Sequence, residues 1–121
     1  MQYMLLIYDD PSTWGGMSED DRNAVMSEYF QFTEDLRKAG KYVAGDALQP
    51  TSTAKSVRVR GGSAETTDGP FAETKEALGG YYLVDVDSEE EALEWAARIP
   101  SARFGTIEVR PVVLFPVEAP A

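Results

Sequence analysis

The sequence predicts an α+β fold of the ferredoxin-like class, in which two β-α-β units are joined by an inserted β-hairpin. Three observations support this fold class. Two stretches with helical spacing of apolar residues each lie between extended apolar stretches, a strictly alternating run surrounds Gly61-Gly62, and 121 residues suit one domain. We therefore expect a single domain over residues 1–121, with an antiparallel sheet that carries both helices on one face.

The first extended stretch, Gln2 to Tyr8, is apolar on both of its alternating faces. A strand of this kind is usually central in its sheet and covered on both sides. Because the two predicted helices cover only one face, we expect a second copy of the chain to cover the other, sheet against sheet, in a homodimer. Asp9-Asp10-Pro11 ends the strand, and residues 12–17 are predicted to form a loop in which Trp14 packs.

The first helix is predicted to begin after Ser18, because acidic residues at 19–21 follow it where the helix dipole favours them. An apolar stripe at helical spacing runs through Val25, Tyr29, Phe32 and Leu36. Gly40 is predicted to end the helix. The hydroxyl of Tyr29 has two possible places, either a pocket into which it points or the core, where its tip would be hydrogen bonded.

Residues 42–48 form the predicted second strand, in which Gly45 marks either a bulge or the close approach of another group. The inserted hairpin follows. Residues 55–60 and 63–67 form its two strands around Gly61-Gly62, because both positions of a type I′ turn need positive φ.

Gly79-Gly80 leads into a third long strand, predicted at residues 81–86. Ser88 and Glu91 have the spacing of a capping box, with Ser88 as the N-cap and Glu91 three residues later. They predict a second helix, which Pro100 stops.

The last strand is predicted over residues 106–115, where Pro111 indicates an edge strand or a bulge. The tail at residues 116–121 is expected to be loosely held. The element order is therefore β-α-β, a hairpin and a second β-α-β.

Composition narrows the possible functions. The sequence has no histidine and no cysteine, which excludes Ser-His-Asp triads, Cys-His dyads and metal sites with imidazole or thiolate ligands. No metal or cofactor is predicted. A net charge of −10 repels phosphate backbones and anionic lipids, so neither nucleic acid nor a membrane is expected as a partner. The first residues lack a signal-peptide pattern, and no apolar run is long enough to span a membrane, so we expect a cytoplasmic protein.

Residues 68–76, Asp-Gly-Pro-Phe-Ala-Glu-Thr-Lys-Glu, fit neither a strand nor a long helix. The first three have turn chemistry, and Asp68 also suits the cap of a short helical turn that begins at Pro70. Glu73, Lys75 and Glu76 then bring three charged groups into four positions, and a lysine between carboxylates can hold an anionic ligand. Composition alone favours a solvated loop with incidental charges.

The run from Thr67 to Pro100 resembles the DGPF branch of the YCII-related family, whose hallmark is Asp-Gly-Pro-Phe-x-Glu-x-Lys-Glu followed by Gly-Gly and a strand. The segments AGKYVAGDALQP at 39–50 and IEVRPV at 107–112 are similar to this branch as well, so the resemblance covers nearly the whole chain. It marks as signature positions Asp46, Asp68, Gly69, Pro70, Phe71, Glu73, Lys75 and Glu76.

The resemblance implies a dimeric α/β barrel of ferredoxin-like protomers, with a cleft where these segments meet. It carries no settled activity. The YCII branch proper is thought to use a His–Asp pair, whereas this chain has no histidine, and the helical position of that residue falls near Tyr29. Relatives encoded beside extracytoplasmic-function sigma factors imply a regulatory context, which would involve protein contacts and no DNA.

These observations favour a small-ligand-binding or regulatory protein. Its ligand contacts would be Tyr29, Arg58, Phe71, Glu73 and Glu76. The alternative is an enzyme acting on a small polar metabolite, with Asp46 or Asp68 as general base and Lys75 neutralising a developing oxyanion. In that case Arg58 would bind a substrate carboxylate. A third hypothesis is purely structural: Asp68 caps, Phe71 packs and Lys75 pairs with a carboxylate.

Overall fold

The computed structural model describes residues 1–115, which contain six strands and three α-helices. In chain order these are β1 (Gln2–Asp9), α1 (Pro11–Gly15), α2 (Glu19–Lys38), β2 (Tyr42–Ala47), β3 (Lys55–Arg60), β4 (Ser63–Asp68), β5 (Ala77–Asp85), α3 (Glu89–Arg98) and β6 (Thr106–Pro111). Within this range, no helix has the length and apolar character needed to cross a membrane. The predicted loose tail at 116–121 lies outside the described residues.

Four strands form one antiparallel sheet in the order β2-β5-β1-β6, which confirms the ferredoxin-like α+β fold. The predicted central position of β1 is confirmed, because this strand pairs with β5 on one side and β6 on the other. Pro111 ends the edge strand β6, as the missing backbone N–H of proline predicts.

The hydrophobic core lies between one face of this sheet and the helices α2 and α3. Tyr3, Leu5 and Ile7 alternate along β1 on the buried face, and Leu5 stands opposite both Tyr82 on β5 and Val109 on β6. The helices contribute Phe32, Leu36, Ala92 and Ala96 to the same cluster. Both helices therefore cover the same face of the sheet.

The predicted helix signals are confirmed. The Ser18 hydroxyl accepts a hydrogen bond from the Asp21 N–H at 3.1 Å, and the Ser88 hydroxyl accepts one from the Glu91 N–H at 3.1 Å. Gly40 takes a φ of 73° just beyond α2, which is the left-handed conformation that ends helices and favours glycine.

The inserted hairpin is also confirmed. Strands β3 and β4 pair only with each other in a separate two-stranded sheet, and Gly61 and Gly62 have φ values of 58° and 81° at the turn. Val57 and Val59 on β3 remain exposed.

Three predicted boundaries are wrong. Residues 12–17 contain the short helix α1 where a loop was predicted, because the Asp10 carboxylate accepts the Ser12 N–H at 2.9 Å and caps it. Strand β5 begins at Ala77, four residues before Tyr81, so Gly79 and Gly80 lie within the strand. Strand β6 ends at Pro111, so residues 112–115 are not part of it.

Candidate functional site

A cleft of about 840 Å³ opens between α2, α1 and the end of the sheet formed by β2 and β5. Its apolar lining includes Ile7, Trp14, Met26, Phe30, Leu48 and Leu78. Four of these side chains, Met26, Phe30, Leu48 and Leu78, are exposed although they are large and apolar. Concave surfaces of this size with apolar walls are typical of small-molecule sites.

Glycine lets β2 approach the floor of this cleft. A Cβ on Gly45 would lie 2.8 Å from Cδ1 of Tyr82, closer than any side chain could sit. Gly45 therefore marks the close approach of an aromatic ring, which is one of the two roles predicted for it. The β2–β5 pairing also has an irregularity between Tyr42 and Ala44.

Hydroxyl groups on α2 and β5 are fixed by hydrogen bonds along one wall. The Tyr29 hydroxyl lies 2.5 Å from Ser101 Oγ. Thr33 Oγ1 donates to the Tyr29 carbonyl at 3.0 Å and lies 2.8 Å from the Tyr82 hydroxyl. Because Thr33 has one proton to donate, the Tyr82 hydroxyl is the donor in the second bond.

These tyrosines stay protonated at neutral pH. Burial raises the pKa of Tyr29 above the ordinary tyrosine value of 10.0, and burial likewise raises the pKa of Tyr82. The negative charge of Asp9, which also lines the cleft, is a smaller cause of the raised pKa of Tyr29. The cleft wall therefore presents neutral hydroxyls to a ligand.

Asp9 is a cleft residue that was not predicted from the sequence. It is 9% exposed, and its Oδ2 accepts the indole N–H of Trp14 at 2.8 Å. Trp14 in turn packs edge-on against Phe104, with 5.6 Å between ring centroids. The available signal was the alternation of β1, since the buried face of Tyr3, Leu5 and Ile7 continues to this carboxylate.

Two of the predicted site residues, Tyr29 and Asp46, line the cleft. Asp46 is exposed, and its Oδ2 accepts the Tyr81 hydroxyl at 2.8 Å. That hydrogen bond raises the pKa of Tyr81, with burial as a smaller cause.

The other predicted site residues lie elsewhere, on the hairpin and the segment that follows it. Asp68 ends β4 and forms an ion pair with Lys55. The Arg58 guanidinium lies 5.2 Å from the ring centroid of Phe71, which is 79% exposed. Glu73 and Lys75 are exposed and Glu76 is half-buried, and neither they nor Asp68, Arg58 or Phe71 line the cleft.

Two local predictions about this segment are wrong. Residues 70–76 contain no helix, so Asp68 caps none, and its carboxylate pairs across the hairpin instead. Phe71 does not pack in the core. Hydrogen bonds from Ser12 lower the pKa of Asp10, and the positive charge of Lys75 is the smallest cause of that lowering.

Comparison with known proteins identifies the family. A family model described as a YCII-related domain matches residues 1–116. The chain belongs to the YCII-related family. An uncharacterised protein of Rhizobium meliloti (strain 1021) is 38% identical over 124 residues, which span all of both chains.

In this YCII-related chain, Tyr29 lines the cleft from α2. Among residues 1–115, the acidic side chains nowhere gather in a group of three that could ligate a metal ion. The side chains that line the cleft offer hydroxyls, carboxylates, one guanidinium, the Gln49 amide and aromatic rings.

Proposed function

We propose that this YCII-related protein binds a small organic ligand in the cleft beside α2. The observation that supports the proposal most directly is the set of exposed apolar side chains in the cleft, led by Phe30 at 72% exposure. When a ligand covers large apolar side chains in a concave surface, their removal from water favours binding. The Tyr29 and Thr33 hydroxyls, fixed on the same wall, would orient that ligand.

The alternative, an enzyme with a carboxylate base and Lys75, has less support. A general base must lie within hydrogen-bond reach of the group it deprotonates, and the stabilising cation must act on the same centre. Asp46 is bonded to Tyr81, Asp68 pairs with Lys55, and Lys75 lies outside the cleft lining. Ligand binding therefore accounts for the geometry better than this mechanism does.

Replacing Phe30 by alanine is expected to weaken binding of a neutral fluorescent probe, N-phenyl-1-naphthylamine, about tenfold. The phenyl ring supplies apolar surface that the probe covers, and a loss of about 1.4 kcal/mol corresponds to a factor of ten. Fluorescence titration gives the dissociation constants.

Phe71→Ala is the matched control, because Phe71 is equally exposed but lies on the predicted segment outside the cleft. It should leave probe affinity unchanged. The reverse pattern would contradict the proposal. If Phe71→Ala weakens binding of the probe and Phe30→Ala does not, the site lies at residues 68–76.

We also propose that the protein is a homodimer that joins the free faces of two sheets. Met4, Leu6 and Tyr8 on β1 point away from the helices together with Leu83 on β5, and all four stay partly exposed in one chain. Apolar residues at the centre of a sheet face are usually covered. A second copy would cover them symmetrically, as in a dimeric α/β barrel.

Leu6→Lys is expected to convert the dimer to a monomer, because it places a charge at the centre of the proposed interface. Size-exclusion chromatography with light scattering should give twice the mass of one chain for the wild type and the mass of one chain for this variant. Leu93→Lys, on the exposed surface of α3, should remain dimeric. A wild-type protein that is monomeric at micromolar concentration would rule out the dimer.

Two finer assignments depend on the sequence resemblance. We propose that the chain falls in the DGPF branch, on the strength of the motif that begins Asp68-Gly69-Pro70-Phe71. Regulation linked to a sigma factor remains a proposal of that resemblance alone, and no residue is assigned to it.

A further inference from the structure

The Asp9 carboxylate has one oxygen that is available to a ligand. Its Oδ2 is held by Trp14, whereas no hydrogen bond from residues 1–115 reaches Oδ1. Within the same residues, no fully buried side-chain oxygen or nitrogen lacks a hydrogen-bond partner. Oδ1 is therefore not fully buried, and Asp9 is one of the residues that line the cleft.

Gly79 keeps the approach to this oxygen open. A Cβ at Gly79 would lie 3.3 Å from Asp9 Oδ1, a distance at which a methyl group would crowd it. The register of β1 against β5 shifts here, since Ile7 pairs with Gly80 and Tyr8 with Leu78, which leaves Gly79 as the extra residue of a bulge. Bulges often re-aim the backbone beside a site.

The charges in the cleft favour a positive ligand. Its ionisable carboxylates are those of Asp9, Glu34 and Asp46, against a single guanidinium, that of Arg37. The guanidinium carbon of Arg37 lies 4.7 Å from the centroid of the Tyr42 ring, and both residues line the cleft. Together with a net charge of −10 for the whole chain, this arrangement attracts cations and repels anions.

Aromatic rings complete the site. Trp14, Tyr29 and Phe30 line the cleft with Asp9, and aromatic faces attract ammonium groups while their carbon surface packs on apolar groups. A ligand with an ammonium group and an apolar body would use both features. A simple inorganic cation would gain nothing from the apolar walls.

We propose that the ligand of this cleft is an organic amine, whose ammonium group pairs with Asp9 Oδ1 and whose apolar body packs among Trp14 and Phe30. This inference rests on the proposed function and specifies the class of ligand. Partial desolvation strengthens such a charge pair relative to one in open water.

The test uses three probes that share a phenyl ring: 2-phenylethylamine, which is cationic at pH 7, neutral 2-phenylethanol and anionic 3-phenylpropionate. Titrations followed by two-dimensional amide NMR on the full-length protein give each dissociation constant. We expect the amine to bind about tenfold more tightly than the alcohol, and the carboxylate more weakly than either.

Asp9→Asn is expected to abolish the preference for the amine, because the side-chain amide keeps an oxygen for the Trp14 N–H and loses the charge. Gly79→Ala is a second variant that keeps the carboxylate and crowds its free oxygen. It should weaken binding of the amine several-fold and binding of the alcohol less. This result can be obtained whether or not the Asp9→Asn variant folds.

The outcomes separate this inference from the proposed function. If the alcohol and the carboxylate bind in the cleft as tightly as the amine, the ligand class is wrong while the binding site stands. If none of the three probes shifts cleft amides and the neutral naphthylamine probe also fails to bind, both proposals fall.

Discussion

Gly105→Ala is expected to lower the free energy of unfolding by about 3 kcal/mol, the upper end of the usual cost of overpacking. A Cβ at Gly105 would lie 2.3 Å from the carbonyl oxygen of Tyr8 and 3.1 Å from Cβ of Asp9. Both contacts are with the end of the central strand β1, which its two neighbours hold in place. Relief requires the start of β6 to move away from β1.

Chemical denaturation followed by circular dichroism measures this loss, which corresponds to a melting temperature lower by about 10 °C for a domain of this size. Gly15→Ala is the control, because a Cβ at Gly15 meets nothing within 4 Å. It should leave stability unchanged or raise it by up to about 1 kcal/mol, because alanine is the better helix former. Equal stability of the Gly105→Ala and Gly15→Ala variants would show that β6 does not approach β1 this closely.

Leu36→Ala is expected to cost about 3 kcal/mol of stability, within the range for a buried leucine that leaves a cavity. Leu36 is 0% exposed and belongs to the cluster that joins α2 to the sheet, with Phe32 one turn earlier on the same helix. The close packing of this cluster limits how far neighbours can collapse into the space.

Leu93→Ala gives the matched comparison on a helix surface, since Leu93 is exposed on α3. Its expected cost is below about 0.5 kcal/mol. Both variants are measured by the same denaturation experiment. Equal losses in the two would contradict the placement of α2 against the sheet.

The sequence predicted the elements whose signals are local. Ser18 and Ser88 each cap a helix through a backbone N–H three residues on, and Gly61-Gly62 forms a turn that needs positive φ twice. Such features depend on a few neighbouring residues, so they can be recognised without the fold.

Features that depend on distant partners were not predicted. Strand β5 extends back to Ala77 because Asp9 and Ala47 stand opposite its first residues, which turns Gly79 and Gly80 into strand positions. Asp9 itself looked like the end of a strand. The alternation of β1 was the one sequence signal for its burial, and the tertiary structure adds the hydrogen bond from Trp14, which packs against Phe104.

The sequence alone determined three things. The chain belongs to the YCII-related family, it has neither histidine nor cysteine, and its central first strand is apolar on both faces. Tertiary structure decided where the residues meet. It places Tyr29, Asp46 and Asp9 around one cleft and leaves Asp68, Phe71 and Lys75 outside its lining. The physical reason is that a motif reports local chain chemistry, whereas a cleft arises where α2, β2 and β5, far apart in sequence, enclose a common space.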